Sequence, residues 1–190
     1  MEIRFANKLD NFSEMAELIY ETDKYIYPAM SDSKKETIKI LVEMITQNTI
    51  FNYTNCLVAI HNSHIVGLIV FATKQNVSKN NYDKWLTLDT KCNFVIKHYI
   101  LKCEKDIQDN QISLVCVCVK ANFRRQKIGS SLISFLFKQF PSQEFLLDTL
   151  KNNVAAINLY KSLGFKIIQE NKGFNKKYQR KPICYHMIKQ

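Results

Sequence analysis

The chain has 190 residues, 46% hydrophobic and 23% charged, with only 4 Gly and 3 Pro. That composition excludes a mainly disordered, fibrous or low-complexity chain, and the length fits one domain over residues 1–190 that buries its own core. The formal charge of +10 is uneven, since residues 1–110 hold 13 Lys and Arg against 14 Asp and Glu whereas residues 111–190 hold 14 against 3.

Residues 2–6 alternate apolar and polar as a short strand does. Asn11 or Ser13 can cap a helix that carries Met15, Leu18 and Ile19 through to about Asp23. After a stretch broken at Pro28, Asp32 or Ser33 can cap a second helix bearing Ile38, Leu41, Val42 and Ile45. Residues 55–61 and 64–73 are β-rich runs separated by Asn62-Ser63, which predicts a two-residue hairpin. The pattern weakens over 74–110, where residues 76–83 read as a loop and 92–103 as a helix.

Residues 112–119 (ISLVCVCV) form a near-continuous apolar run, the signature of a strand buried on both faces. A polar link over 120–127 leads into a helix with Ile128, Leu132, Phe135 and Leu136 on one face. Residues 144–149 read as another strand, Asn152 or Asn153 caps a helix through Leu163, and Gly164 ends it. Residues 165–169 and 182–188 complete the sheet, and the basic run 172–181 between them reads as a solvated loop.

No run of about 18 apolar residues exists to span a membrane, and the N-terminus has no secretory pattern. The six cysteines (Cys56, Cys92, Cys103, Cys116, Cys118, Cys184) include no CxxC pair and sit in apolar stretches, which suits buried thiols in a reducing, cytoplasmic setting. The basic half attracts an anion, whether nucleic acid, an anionic surface or a phosphorylated small molecule. It contains no recognised nucleic-acid reading motif.

The link Arg124-Arg125-Gln126-Lys127-Ile128-Gly129-Ser130 places helix N-terminal N–H groups and their dipole beside several cations. This is a phosphate-binding arrangement in which Gly129 admits close approach and Ser130 or Ser131 can donate a hydroxyl. The run VKANFRRQKIGSSLISFL resembles the acetyl-coenzyme A loop of the GCN5-related N-acetyltransferase (GNAT) superfamily, with Lys127 in that pattern's first glycine slot and Gly129 in its second. Residues 153–165 resemble the same superfamily's Asn-x-x-Ala-x-x-Leu-Tyr-x-x-x-Gly-Phe signature at Asn153, Ala156, Leu159, Tyr160, Gly164 and Phe165.

The resemblance implies an α/β (α+β) fold: a mixed, mostly antiparallel sheet of about six to seven strands flanked by helices, with its two central strands splayed apart. It implies an N-acetyltransferase that moves acetyl from acetyl-CoA to a primary amine of a small molecule or peptide by direct attack. Val117 and Val119 are the implied main-chain contacts for the pantetheine arm, Arg124 to Ser130 the diphosphate loop, Asn153 a further cofactor contact, and Tyr160 the acid that protonates the departing thiolate. Tyr25 and Tyr27, beside Tyr20, lie where the superfamily often lines its acceptor pocket, and core packing is the other reading of these aromatic residues.

No residue is forced as the base; Asp148 ends the strand beside the site and Glu104 precedes the central strand, and each also reads as an ordinary carboxylate. The histidines His61, His64, His98 and His186 show no triad or metal spacing, so no metal is expected. Cys116 and Cys118 read as small apolar residues on one strand face. A non-catalytic acyl-CoA-binding module with the same fold is the alternative, and the family leaves a homodimer open.

Overall fold

Asn62 and Ser63 both take left-handed backbone, at φ 48° and 64°. That is the pair of positive φ values a type I′ turn requires, and it sets β2 (Cys56–His61) antiparallel to β3 (His64–Thr73). In the computed structural model, which describes residues 1–88, 90–104, 107–172 and 183–190, this hairpin belongs to a seven-stranded sheet. Its other strands are β1 (Glu2–Phe5), β4 (Gln111–Val119), β5 (Glu144–Leu150), β6 (Lys166–Lys172) and β7 (Ile183–Lys189), in the order β1-β2-β3-β4-β5-β7-β6. The β4–β5 pairing is parallel, and the other five are antiparallel.

Local signals place the helices. The Asn11 side chain accepts from the N–H groups of Ser13 and Glu14 to start α1 (Phe12–Thr22), and the Ser33 hydroxyl accepts from Glu36 N–H to start α2 (Lys34–Thr46). Both lie on one sheet face, where Met15, Ile19, Leu41 and Ile45 pack with Leu68, Val70, Cys116 and Cys118. The opposite face is covered by α7 (Ile128–Gln139) and α8 (Val154–Ser162), whose Leu132, Leu136 and Tyr160 pack with Leu57, Ile69, Leu147 and Met187. At Gly67 the sheet meets α7 so closely that a Cβ would lie 3.0 Å from Leu132 Cδ1 and 3.1 Å from Ile128 Cγ2.

Over residues 74–110 the helix expected at 92–103 is present, while the stretch expected as a loop is flanked by two further short helices. A capping box between Thr73 and Asn76 starts α3 (Lys74–Val77), and α4 (Asp83–Leu88) follows. Then α5 (Thr90–Val95) runs through a π turn (Ile96–Ile100) into α6 (Leu101–Cys103). Tyr82, Trp85, Cys92, Val95, Ile96 and Ile100 are buried in the core shared with α1 and α2. Burial of scattered apolar residues stabilises these short helices where local propensity is weak. Of the basic run, Lys172 ends β6 and residues 173–182 lie outside the described residues, as does Pro182 of the last expected strand.

The central strand also corrects its expectation. Its even-numbered residues are buried and its odd-numbered ones only half-buried. Its register slips against β3, with Phe71 opposite Leu114 and Val70 opposite Cys116, so that Val115 is the extra residue of a bulge. The bulge reverses the facing of the strand beyond it: Ile112 and Leu114 face the α7/α8 side, Cys116 and Cys118 the α1/α2 side. Among the described residues no helix is long and apolar enough to cross a membrane.

Candidate active site

β4 and β5 pair over Gln111–Leu114 and Glu144–Leu147, with Leu114 opposite Leu147 as the last pair. Beyond it the strands part, and the gap opens at the level of the Val115 bulge and Asp148. Parallel strands that separate leave unpaired backbone groups along the facing edges, which an extended polar ligand can satisfy.

At the far end of β4 the chain turns through Ala121–Phe123 into the basic loop. Arg124 Nε donates to Val119 O at 3.0 Å, folding this side chain back along the strand. Arg125 and Lys127 both hold left-handed backbone, at φ 65° and 61°, and no side chain caps the first turn of α7. Such alternation turns successive N–H groups into a concave anion cradle, and the helix dipole adds to it. Arg124, Arg125, Gln126 and Lys127 are all exposed around the cradle. The donor set fits a diphosphate.

Three expected contacts have local employment. The Ser130 hydroxyl donates to Lys127 O at 2.7 Å, and Ser131 N–H donates to the same carbonyl. At Gly129 a Cβ would face Leu159 Cδ2 at 3.4 Å and Val119 Cγ2 at 3.8 Å, so the glycine's small size lies toward the α8 packing. Asn153 caps α8, its Oδ1 accepting from Ala156 N–H at 3.3 Å, which leaves its amide Nδ2 free to donate.

Tyr160 rises from α8 with its ring edge-on to Phe165 at 5.8 Å. Burial pushes its phenol up to about 12, with further contributions from Cys116 and Cys118. Those two thiols project from the other sheet face, whereas Tyr160 belongs to the core on the α7/α8 face. Burial likewise holds the Cys118 thiol up at about 11, with the charge of Glu21 adding to it.

The aromatic residues before α2 divide. Tyr27 is buried, edge-on to Phe51, with its hydroxyl 3.1 Å from Cys116 Sγ. Tyr25 is half-buried under Lys24, and its N–H donates to Asp23 Oδ1 at 2.6 Å. Tyr20 stacks beneath Lys34. Glu104 is held by Tyr82 Oη and Asn80 Nδ2, and burial raises its carboxyl; its partners belong to the segment before β4.

Asp148 is exposed at the gap, and its Oδ1 lies 2.8 Å from His186 Nδ1. Sequence reasoning singled out the carboxylate and missed the histidine. Their pairing comes from the β5–β7 register, which no local pattern announces.

Comparisons with known proteins agree with this fold. A model of the Acetyltransferase (GNAT) family matches residues 19–165, and the chain belongs to that family. N-alpha-acetyltransferase 30 of Dictyostelium discoideum is 41% identical over 56 residues, which is 28% of this chain and 30% of that protein. The match therefore spans less than a third of that relative's length. Among solved structures, an N-acetyltransferase from Staphylococcus aureus Mu50 has a TM-score of 0.76 at 20% identity, covering 99% of this chain and 100% of its own. A chain of the NatC complex bound to Gag peptide and CoA has a TM-score of 0.57 at 16% identity, covering 99% and 98%. These structural likenesses are likenesses of fold.

Proposed function

We propose that this protein acetylates a primary amine with acetyl-CoA, by direct attack of the amine with both substrates bound, in the cytoplasm. One arrangement supports the reading: β4, which parts from β5 beyond Leu114, leads into the loop whose left-handed Arg125 and Lys127 shape an anion cradle, and the helix after β5 carries the buried phenol of Tyr160. A diphosphate at one end and a thioester at the other require that arrangement. A reducing compartment suits the cysteines, among which Cys56, Cys92, Cys116 and Cys118 are buried thiols and Cys184 is half-buried.

Arg125, Lys127 and the N–H groups of the α7 first turn bind the diphosphate, while the Val117 main chain, with Val119 partly committed to Arg124, aligns the arm along β4. Asn153 Nδ2 donates to the arm from the α8 side. The bound cosubstrate supplies an acetyl thioester whose carbonyl carbon accepts the amine. Tyr160 stays protonated because burial opposes the phenolate, so it holds a proton ready for the leaving sulfur. Holding the partners together in one gap supplies much of the rate.

A peptide α-amine is the acceptor class best supported, because the matched Dictyostelium protein is an N-alpha-acetyltransferase. Free thiol release from acetyl-CoA, followed against a panel of peptides and small amines with Tyr160→Phe beside the wild type, tests the reading. Release with one amine class, lost in the variant, supports it. Tight acetyl-CoA binding with no release from any amine would instead favour a non-catalytic module.

A further inference from the structure

Asp148 and His186 are directly opposite each other on β5 and β7. Asp148 is the first β5 residue beyond the Leu114–Leu147 pair, so the couple stands at the mouth of the gap, level with the Val115 bulge. On β7, Tyr185 and Met187 pack toward α7 and α8, which turns His186 and Cys184 to the α1 side. There the Cys184 thiol is raised by burial and by the charges of Asp148 and Asp23. The helices of that face pack on β3 and β4, and Asp148 and His186 keep side-chain exposures of 63% and 28%. Tyr160 packs from α8 on the opposite side of the sheet.

We propose that His186 is the base that takes the proton from the acceptor ammonium, with Asp148 as its positioning residue. The inference rests on the acetyl-transfer reading above. Nδ1–H donates to the Asp148 carboxylate, which leaves the Nε2 lone pair free toward the open face. An N–H bond of the ammonium breaks, its proton goes to Nε2, and the freed lone pair attacks the acetyl carbon; the C–S bond then breaks, the sulfur leaves with the Tyr160 proton, and the second proton of the amine nitrogen replaces it on the phenol, giving the amide and the free thiol. The imidazolium, held by Asp148, later returns its proton to water. Base and acid thus approach the reacting atoms from opposite faces of the sheet. The groups that face His186 are Asp148 from β5, Cys184 on its own strand with Asp23 of the α1 end beyond it, and the neutral Gln169 opposite on β6.

The test measures kcat/KM against pH for the wild type, His186→Gln and Asp148→Asn, together with an NMR titration of the His186 ring. Activity in the wild type falls on the acid side through the pKa that NMR reports for His186. His186→Gln lowers kcat/KM by about a hundredfold or more and removes that limb. Asp148→Asn moves the NMR titration and the activity limb together to lower pH, because the carboxylate that favours the imidazolium is gone. Imidazole added to His186→Ala restores part of the rate. An unchanged limb and rate in His186→Gln, while Tyr160→Phe is impaired, overturns the base and leaves the acetyl-transfer reading standing. No thiol release by the folded wild type with any amine overturns both.

Discussion

Arg125 and Lys127 hold left-handed backbone at φ 65° and 61°, with Gln126 between them. This alternation shapes the anion cradle, and one of its two positions is the slot where the resembled pattern has glycine. Lys127 keeps the glycine conformation without the glycine. A left-handed residue with a Cβ carries a strain of about 1–2 kcal/mol, part of which glycine returns by its greater freedom in the unfolded chain.

Lys127→Gly therefore stabilises the fold by roughly 0.5–1 kcal/mol, and Lys127→Val, β-branched at the same φ, destabilises it. Thermal unfolding of both variants beside the wild type reads the difference. Equal midpoints in all three would show that the loop does not hold this conformation in solution.

Tyr160→Phe lowers kcat by about 10²–10⁴-fold while the fold is kept, because the ring packing on Phe165 survives the loss of the hydroxyl. With the phenol near 12, the wild-type rate shows no alkaline fall from Tyr160 through the neutral range. Steady-state kinetics from pH 6 to about pH 10 check both statements.

Gly67→Ala destabilises by about 1–3 kcal/mol through overpacking. Its Cβ would meet Leu132 at 3.0 Å, Ile128 at 3.1 Å and Ala59 at 3.3 Å, where α7 rests on the sheet. Because Ile128 opens the helix that forms the cradle, the same variant weakens acetyl-CoA binding. Denaturant unfolding and cofactor titration measure the two effects.

Stability falls on the acid side. The Arg4 guanidinium, bonded to Asp10 at 2.9 and 2.6 Å, lowers that carboxyl below its usual 3.8. Burial raises the Glu14 carboxyl, yet Ile65 N–H, His64 and Lys120 outweigh it and hold it below the usual 4.5. Both folded carboxyls release their protons more readily than in the unfolded chain, so their contribution is complete above the unfolded values and is lost as pH falls through the folded ones. Asp10→Asn flattens the acid side of a melting curve series, and an unaltered slope would remove the Arg4 pair from the account.

Much of this protein is written locally. Asn11 and Ser33 cap their helices, Asn62 and Ser63 turn the hairpin, and Gly164, at φ 93°, follows the end of α8. Each is decided by hydrogen bonds and dihedrals among residues a few positions apart, so a linear reading recovers it. The cradle loop is contiguous from Arg124 to Ser130, and Tyr160 lies one helix turn beyond Ala156, which is why the motifs that carry the family likeness were legible.

Tertiary structure decided the rest. The bulge at Val115 turns Cys116 and Cys118 to the face opposite Leu114, and it arises from how β4 must register on β3, a sum over many packed side chains. The helices between Asp83 and Cys103 exist because Trp85, Val95 and Ile96 are buried beside α1 and α2. Asp148 and His186, 38 residues apart, meet only because β7 lies between β5 and β6. Sequence alone thus determined the fold family and pointed to the residues proposed for the cofactor loop and the acid. The base side of the gap waited on strand pairing, since long-range register is fixed by collective burial rather than by any neighbouring residue.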